Sequence, residues 1–241
     1  PEDSGGSEVV IEYLMTTRDD KGNEKKEWRT ELGYYDDSPE AIRVRDDGRG
    51  YSLENLLLLH SNKSGEAVGQ FGEGLKMLSA ACLRSKIPVK FRSQDWIAMP
   101  LAKKVEVGDD DVKQLGYTTA QGADQTEGSA TTFFNPSYDL VKVFKNLGQY
   151  VLHFNDNVNV LHEGDAGRIV RVGDRKTTYV KGFYIADNES PEFQTLFSYD
   201  LQTSDITPDR NIVDHNTFRT GIKELLRTNR NADVVKTVLG A

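Results

Sequence analysis

The chain has 241 residues, with 30 Lys and Arg against 38 Asp and Glu, for a net charge of −8. That balance argues against nucleic-acid or membrane-surface binding by the segment as a whole. A single cysteine, Cys82, permits no internal disulfide and suits a reducing cytosol, and with no long apolar run the segment is expected to be soluble and cytoplasmic, with no membrane partner.

Strands are predicted near residues 8 to 15, 29 to 35 and 41 to 46, then 88 to 99, 101 to 107, 115 to 120 and 129 to 134. Helices are predicted near 52 to 60 and 74 to 85, the second carrying Leu75, Leu78, Ala81 and Cys82 on one side, with Ile87 just beyond. The charged, turn-rich run Arg18 to Lys26 reads as an exposed hairpin connection. Asp109, Asp110 and Asp111 read as a solvated loop, because no further carboxylates recur there at ligand spacing. After Asn135-Pro136 the pattern changes. A helix is predicted from Tyr138 to Phe154, strands at 158 to 162, 167 to 172, 176 to 186 and 194 to 201, and a last helix from about Asp214 to Leu239. This organisation gives two α+β domains, 1–136 and 137–241.

Two glycine-bearing boxes carry the chemistry. In the first, Asp46 ends an alternating strand (Ile42, Val44) and is followed by Gly48 and Gly50. A carboxylate at a strand end can accept a hydrogen bond from an exocyclic amine, and glycines let backbone lie close to a flat base. In the second, Gly69, Gly72 and Gly74 follow a polar loop and open a helix, where free backbone N–H groups and the helix dipole favour phosphate. A Walker loop is excluded because Lys76 is followed by Met77, and a dinucleotide fingerprint because Gly69 does not directly follow a strand. The four histidines, His60, His153, His162 and His215, show neither metal-ligand spacing nor a Ser/Asp partner.

The ordered pair of boxes resembles the GHKL superfamily, whose ATP-binding Bergerat fold is shared by gyrase B subunits, heat-shock chaperones, histidine kinases and mismatch-repair ATPases. The resemblance implies an α/β sandwich, a mixed sheet with helices on one face, followed by a smaller transducer-like α+β domain. It implies ATP with Mg2+ as cofactors, Asp46, Gly48 and Gly50 holding the base, and Gly69, Gly72 and Gly74 approaching the phosphates. The loop from Ser61 to Glu66 would be a lid, with Lys63 and Ser64 as phosphate contacts. A third match, Gly128-Ser129-Ala130-Thr131, is similar to a late strand whose hydroxyl supports the adenine aspartate; Ser129 keeps the hydroxyl without the methyl.

The family's helix bearing a water-activating glutamate and a magnesium-ligating asparagine is not found ahead of Asp46, where Pro1 to Ser7 is loop chemistry and Glu8 to Met15 a strand. The expectation is a chain cut just after that helix, with possible homodimerisation through the intact N-terminus. A permuted pair, Glu224 and Asn229, is set aside because five residues put the asparagine about 100° off the required face. In the second domain, Thr178 to Asp187 and then Ser204 to Asn211 look like the middle domain of the superfamily's chaperones, in which a loop arginine reaches the γ-phosphate. Arg210 matches that arginine, or else forms a structural pair with Asp209 capping the last helix; Lys181 is a third candidate. Two functions are expected: an ATPase whose lid closure is coupled to a second domain, or a nucleotide-binding or protein-interaction module that holds ATP without turnover. The client, protein or DNA, is not specified.

Overall fold

The computed structural model describes residues 8–57, 74–107, 110–174, 176–187, 195–204, 206–207, 212 and 214–240. It is an α+β protein with two sheets, dividing into two compact units, Pro1–Lys145 and Asn146–Ala241.

The first unit is a five-stranded sheet in the order β2-β1-β3-β5-β4, built from β1 (Val9–Arg18), β2 (Glu24–Arg29), β3 (Ala41–Asp46), β4 (Val89–Val107) and β5 (Asp110–Phe134). Every pairing in it is antiparallel, where the expected sheet is mixed. The short connections make β1 with β2 and β4 with β5 antiparallel, since parallel neighbours need a long crossover. Alternation puts Ile42, Val89, Phe91 and Phe133 into one core with Leu56 of α1 (Leu53–Leu57) and Cys82 of α2 (Gly74–Arg84). Cys82 is thus a core residue, and burial pushes its thiol pKa up. The helix α3 (Tyr138–Lys145) also belongs here, burying Val141 and setting the Phe144 ring, tilted, at 5.8 Å from that of Phe133.

The second strand occupies Glu24–Arg29 rather than residues 29 to 35. As the sheet edge it tolerates the exposed Lys25 and Lys26, and the Asp19 carboxylate fixes the preceding turn by accepting the N–H groups of Lys21 and Asn23 at 2.9 and 2.8 Å. The four short strands expected between 88 and 134 are instead one long hairpin, β4 with β5. Pro100 does not end β4, because β4 is the other edge and needs no amide there.

The second unit is a mixed sheet in the order β6-β7-β10-β8-β9, from β6 (Asn159–Gly164), β7 (Gly167–Arg171), β8 (Thr177–Val180), β9 (Phe183–Asp187) and β10 (Ser198–Leu201). Only β10 and β8 run parallel among its described pairings. Ile169, Val180, Tyr199 and Leu201 form its core with Phe218 and Leu225 of one helix and Val234 of the next.

Three predicted elements break here, each at an identifiable residue. The helix expected to Phe154 stops after α3; α4 (Leu147–Tyr150) and a 3-10 turn (Leu152–Phe154) follow. The chain doubles back so tightly that a Cβ on Gly148 would lie 2.7 Å from the Phe154 carbonyl oxygen. The strand expected at 176 to 186 folds into a hairpin at Lys181 (φ 51°) and Gly182 (φ 81°), the paired left-handed conformation of a two-residue primed turn. The last helix divides into α5 (His215–Thr228) and α6 (Ala232–Leu239), because Asn231 caps the second by accepting from Asp233 N at 2.9 Å. Asp214 caps α5 likewise, accepting from Asn216 N at 2.8 Å.

Candidate functional site

Asp46, Ser129 and Ser93 are register partners on three adjacent strands, β3, β5 and β4. Val44 and Phe91 lie two residues from Asp46 and Ser93, and Phe133 four residues from Ser129; these are packed in the core, so all three polar residues face the helix-covered side of the sheet. The row marks where the apolar core gives way to a polar end.

Ser129 donates its hydroxyl to Oδ2 of Asp46, while Gly48 donates its backbone N–H to Oδ1 at 3.0 Å. The carboxylate is therefore held at both oxygens and only half-buried. Each oxygen keeps further acceptor capacity, which is what a ligand amine requires. The neighbouring Asp47 holds the start of β1 by accepting from Glu8 N at 2.8 Å.

Below the carboxylate the packing is close. Gly128 has φ 69°, and a Cβ there would fall 1.8 Å from the Asp46 carbonyl oxygen and 3.0 Å from Oδ1. Gly50 also has φ 69°, and its Cβ would meet Ser93 Oγ at 2.5 Å and the Gly128 carbonyl at 2.7 Å. Gly50 is required by the protein's own packing, a role independent of any flat base. Ser93 is fully buried, donates to the Gly128 carbonyl at 3.1 Å and accepts from Tyr51 N at 2.9 Å.

Tyr51 closes this end. Its ring stands edge-on to Trp96 at 5.2 Å, and Trp96 Nε1 donates to the Tyr51 carbonyl at 2.8 Å. Burial, and then the negative charge of Asp46, drive the Tyr51 hydroxyl pKa far upward, so it stays protonated. Tyr117 donates to Ser79 Oγ at 3.1 Å, tying the long hairpin to α2. Gly74 opens α2, and a Cβ there would meet none of the described residues within 4 Å.

Asp46, Gly48, Gly50 and Ser129 thus converge at one end of the sheet, whereas Lys63, Ser64, Gly69, Gly72 and Arg210 lie outside the described residues. Lys181 belongs to the turn of the second unit, where its N–H donates to the Leu201 carbonyl at 2.9 Å. Glu224 ion-pairs with Arg227 at 2.7 Å, and Asn229 caps α5. Ser93, Tyr51 and Trp96 are the parts that sequence reasoning missed. A serine in line with Val89 and Phe91 on an alternating strand was the one available signal, and nothing local connects residue 93 to residue 129. Among the described residues no group of three or more His, Cys, Asp or Glu side chains could hold a metal ion, and no helix is long and apolar enough to cross a membrane.

No protein-family model matches the chain, and no curated protein matches it.

Proposed function

We propose that the first unit binds an adenine nucleotide in the manner of GHKL ATPases, with Asp46 as the adenine acceptor. The observation carrying this reading is the Asp46 carboxylate, held by Ser129 and the Gly48 amide at the strand end while retaining acceptor capacity. Such an arrangement suits an exocyclic amine: the hydroxyl orients the carboxylate, and the half-buried setting strengthens the bond. The helix α2, opening at Gly74, gives the phosphates a helix N-terminus to approach. Lys63, Ser64, Gly69 and Gly72 would complete the phosphate side, and Arg210 would report on the terminal phosphate to the second unit.

Bound ATP with Mg2+ would supply a terminal phosphoryl group for hydrolysis, and this chain's residues bind and orient it. The described residues ahead of Asp46 are strands and turns, without a helix carrying glutamate and asparagine. We expect the described residues of the first unit to hold and orient the nucleotide, hydrolysis requiring in addition the water-activating glutamate and magnesium-ligating asparagine of that superfamily.

Calorimetric titration with a non-hydrolysable ATP analogue and magnesium tests the reading, with Asp46→Asn as control. Binding by the chain and its loss in the variant is the expected result, because the substituted amide turns a donor toward a donor. Equal affinity in the two proteins removes Asp46 from the site, and no binding by the folded chain ends the proposal.

A further inference from the structure

A hollow of about 600 Å³ opens on the second unit, between the α4 region and the strands β8 and β9. Its volume lies within the usual range of small-ligand sites, roughly 300 to 1,000 Å³. Three tyrosines wall it: Tyr150, Tyr179 and Tyr184. Tyr184 stands edge-on to both others, at 5.9 Å from Tyr150 and 6.4 Å from Tyr179. The buried Tyr179 is anchored from below, donating its hydroxyl to the Gln149 carbonyl at 3.1 Å.

Asp174 and Asp187 are the charged residues of the lining, which also carries the neutral amides Gln149, Asn155 and Asn157, with no lysine, arginine or histidine among the described lining residues. Asp187 is oriented by the Thr177 hydroxyl, which donates to Oδ1 at 3.2 Å. The Tyr184 hydroxyl pKa is raised by burial and then by the Asp187 carboxylate, so a negative field reaches the rings. Asp174 makes no ion pair among the described residues.

Rings present electron-rich faces and carboxylates present acceptors. Together they attract an organic cation and repel phosphate or carboxylate. We propose that this hollow is a binding site for a guanidinium or alkylammonium cation, seated against Tyr150 and Tyr184 and paired with Asp174 and Asp187. The site is separate from the nucleotide reading and stands without it. The cation can come from an arginine or lysine side chain of a polypeptide or from a free polyamine, and both share the chemistry.

The test is titration of the full chain, followed by amide NMR, with blocked arginine (N-acetylarginine methylamide), its neutral citrulline analogue, and spermidine. Blocked arginine is expected to shift the amide signals of Tyr150, Gly173 and Tyr184, with the citrulline analogue silent. Asp174→Asn and Tyr150→Leu, both on accessible side chains, are each expected to weaken it about fivefold. Tighter binding of spermidine with the same shifts supports the site and names a free polyamine as its source. Equal binding of the citrulline analogue, shifts confined elsewhere, unchanged affinity in both variants, or no binding of either cation at about 10 mM overturns the proposal.

Discussion

The Ser129 hydroxyl donates to the carboxylate of Asp46 across the β3-β5 pairing, joining residues 83 positions apart in sequence. The bond gives a sharp prediction. Ser129→Ala frees one carboxylate oxygen to turn away, which costs about 1 to 2 kcal/mol of the proposed adenine interaction, roughly tenfold in affinity. Ser129→Thr keeps the hydroxyl and is expected to retain binding. Titration of both variants with the same ATP analogue checks the pair, and equal affinity of Ser129→Ala and the parent protein would show that the hydroxyl does not tune the site.

Gly128 and Gly122 offer a matched contrast, since both have positive φ, at 69° and 79°. A Cβ at Gly128 collides with the Asp46 backbone, whereas one at Gly122 meets none of the described residues within 4 Å. Gly122→Ala is expected to cost about 1 kcal/mol, the left-handed penalty alone. Gly128→Ala must also move β3 and is expected to cost at least about 3 kcal/mol. Urea unfolding of the two variants measures the difference; similar losses would show that β3 yields to the extra carbon.

Asp200 is fully buried in the second unit, where it pairs with Arg168 and accepts the Gly182 N–H at 2.7 Å. It therefore holds the β8-β9 turn against β10. Asp200→Ala would strand both the guanidinium and the turn amide, and a loss of about 2 to 4 kcal/mol is expected. Asp200→Asn retains an acceptor for Gly182 and should lose less. Thermal unfolding followed by circular dichroism ranks the two, and an inverted order would assign the main role to packing.

Glu12 provides a pH signature. Burial would raise its pKa, but the hydrogen bond and charge of Arg43, at 2.7 Å, and then the charge of Arg45, outweigh it and hold the carboxyl below its ordinary value of 4.5. A depressed carboxylate contributes stability that is fully present above about pH 4.5 and is lost as the pH falls through the lowered folded-state pKa. The stability gap between the parent protein and Glu12→Gln is therefore expected to be widest near neutrality and to close on acidification below that value. Denaturant unfolding from pH 7 to about pH 3 measures it, and a constant gap would mean the contribution is not ionic.

Much of the local structure is legible in the residues themselves. The alternation of Ile42 and Val44 indicates β3, and the helical spacing of Leu75, Leu78 and Cys82 indicates α2. The breaks were less visible. Lys181 in a left-handed conformation is an unfavourable choice for a turn, and periodicity read residues 176 to 186 as one strand. The turn forms there because Asp200 and Leu201, from a distant strand, capture its two amides. The Pro100 position misled in the same way, since only its place on an edge makes it harmless.

The sequence by itself determined which residues could carry chemistry. Asp46 ends a strand and is followed by glycines, and those properties follow from local spacing and conformational freedom. Only the tertiary structure decided what surrounds it. Strand register set Ser129 and Ser93 beside Asp46, and Gly50 turned out to be needed for the packing of Ser93 and Gly128. It also gathered Tyr150 of α4, Tyr179 of β8, Tyr184 and Asp187 of β9, and Asp174 of the turn before β8 into one hollow. Register and cross-strand contact arise from the burial of a whole sheet face at once, a global condition that no window of neighbouring residues contains.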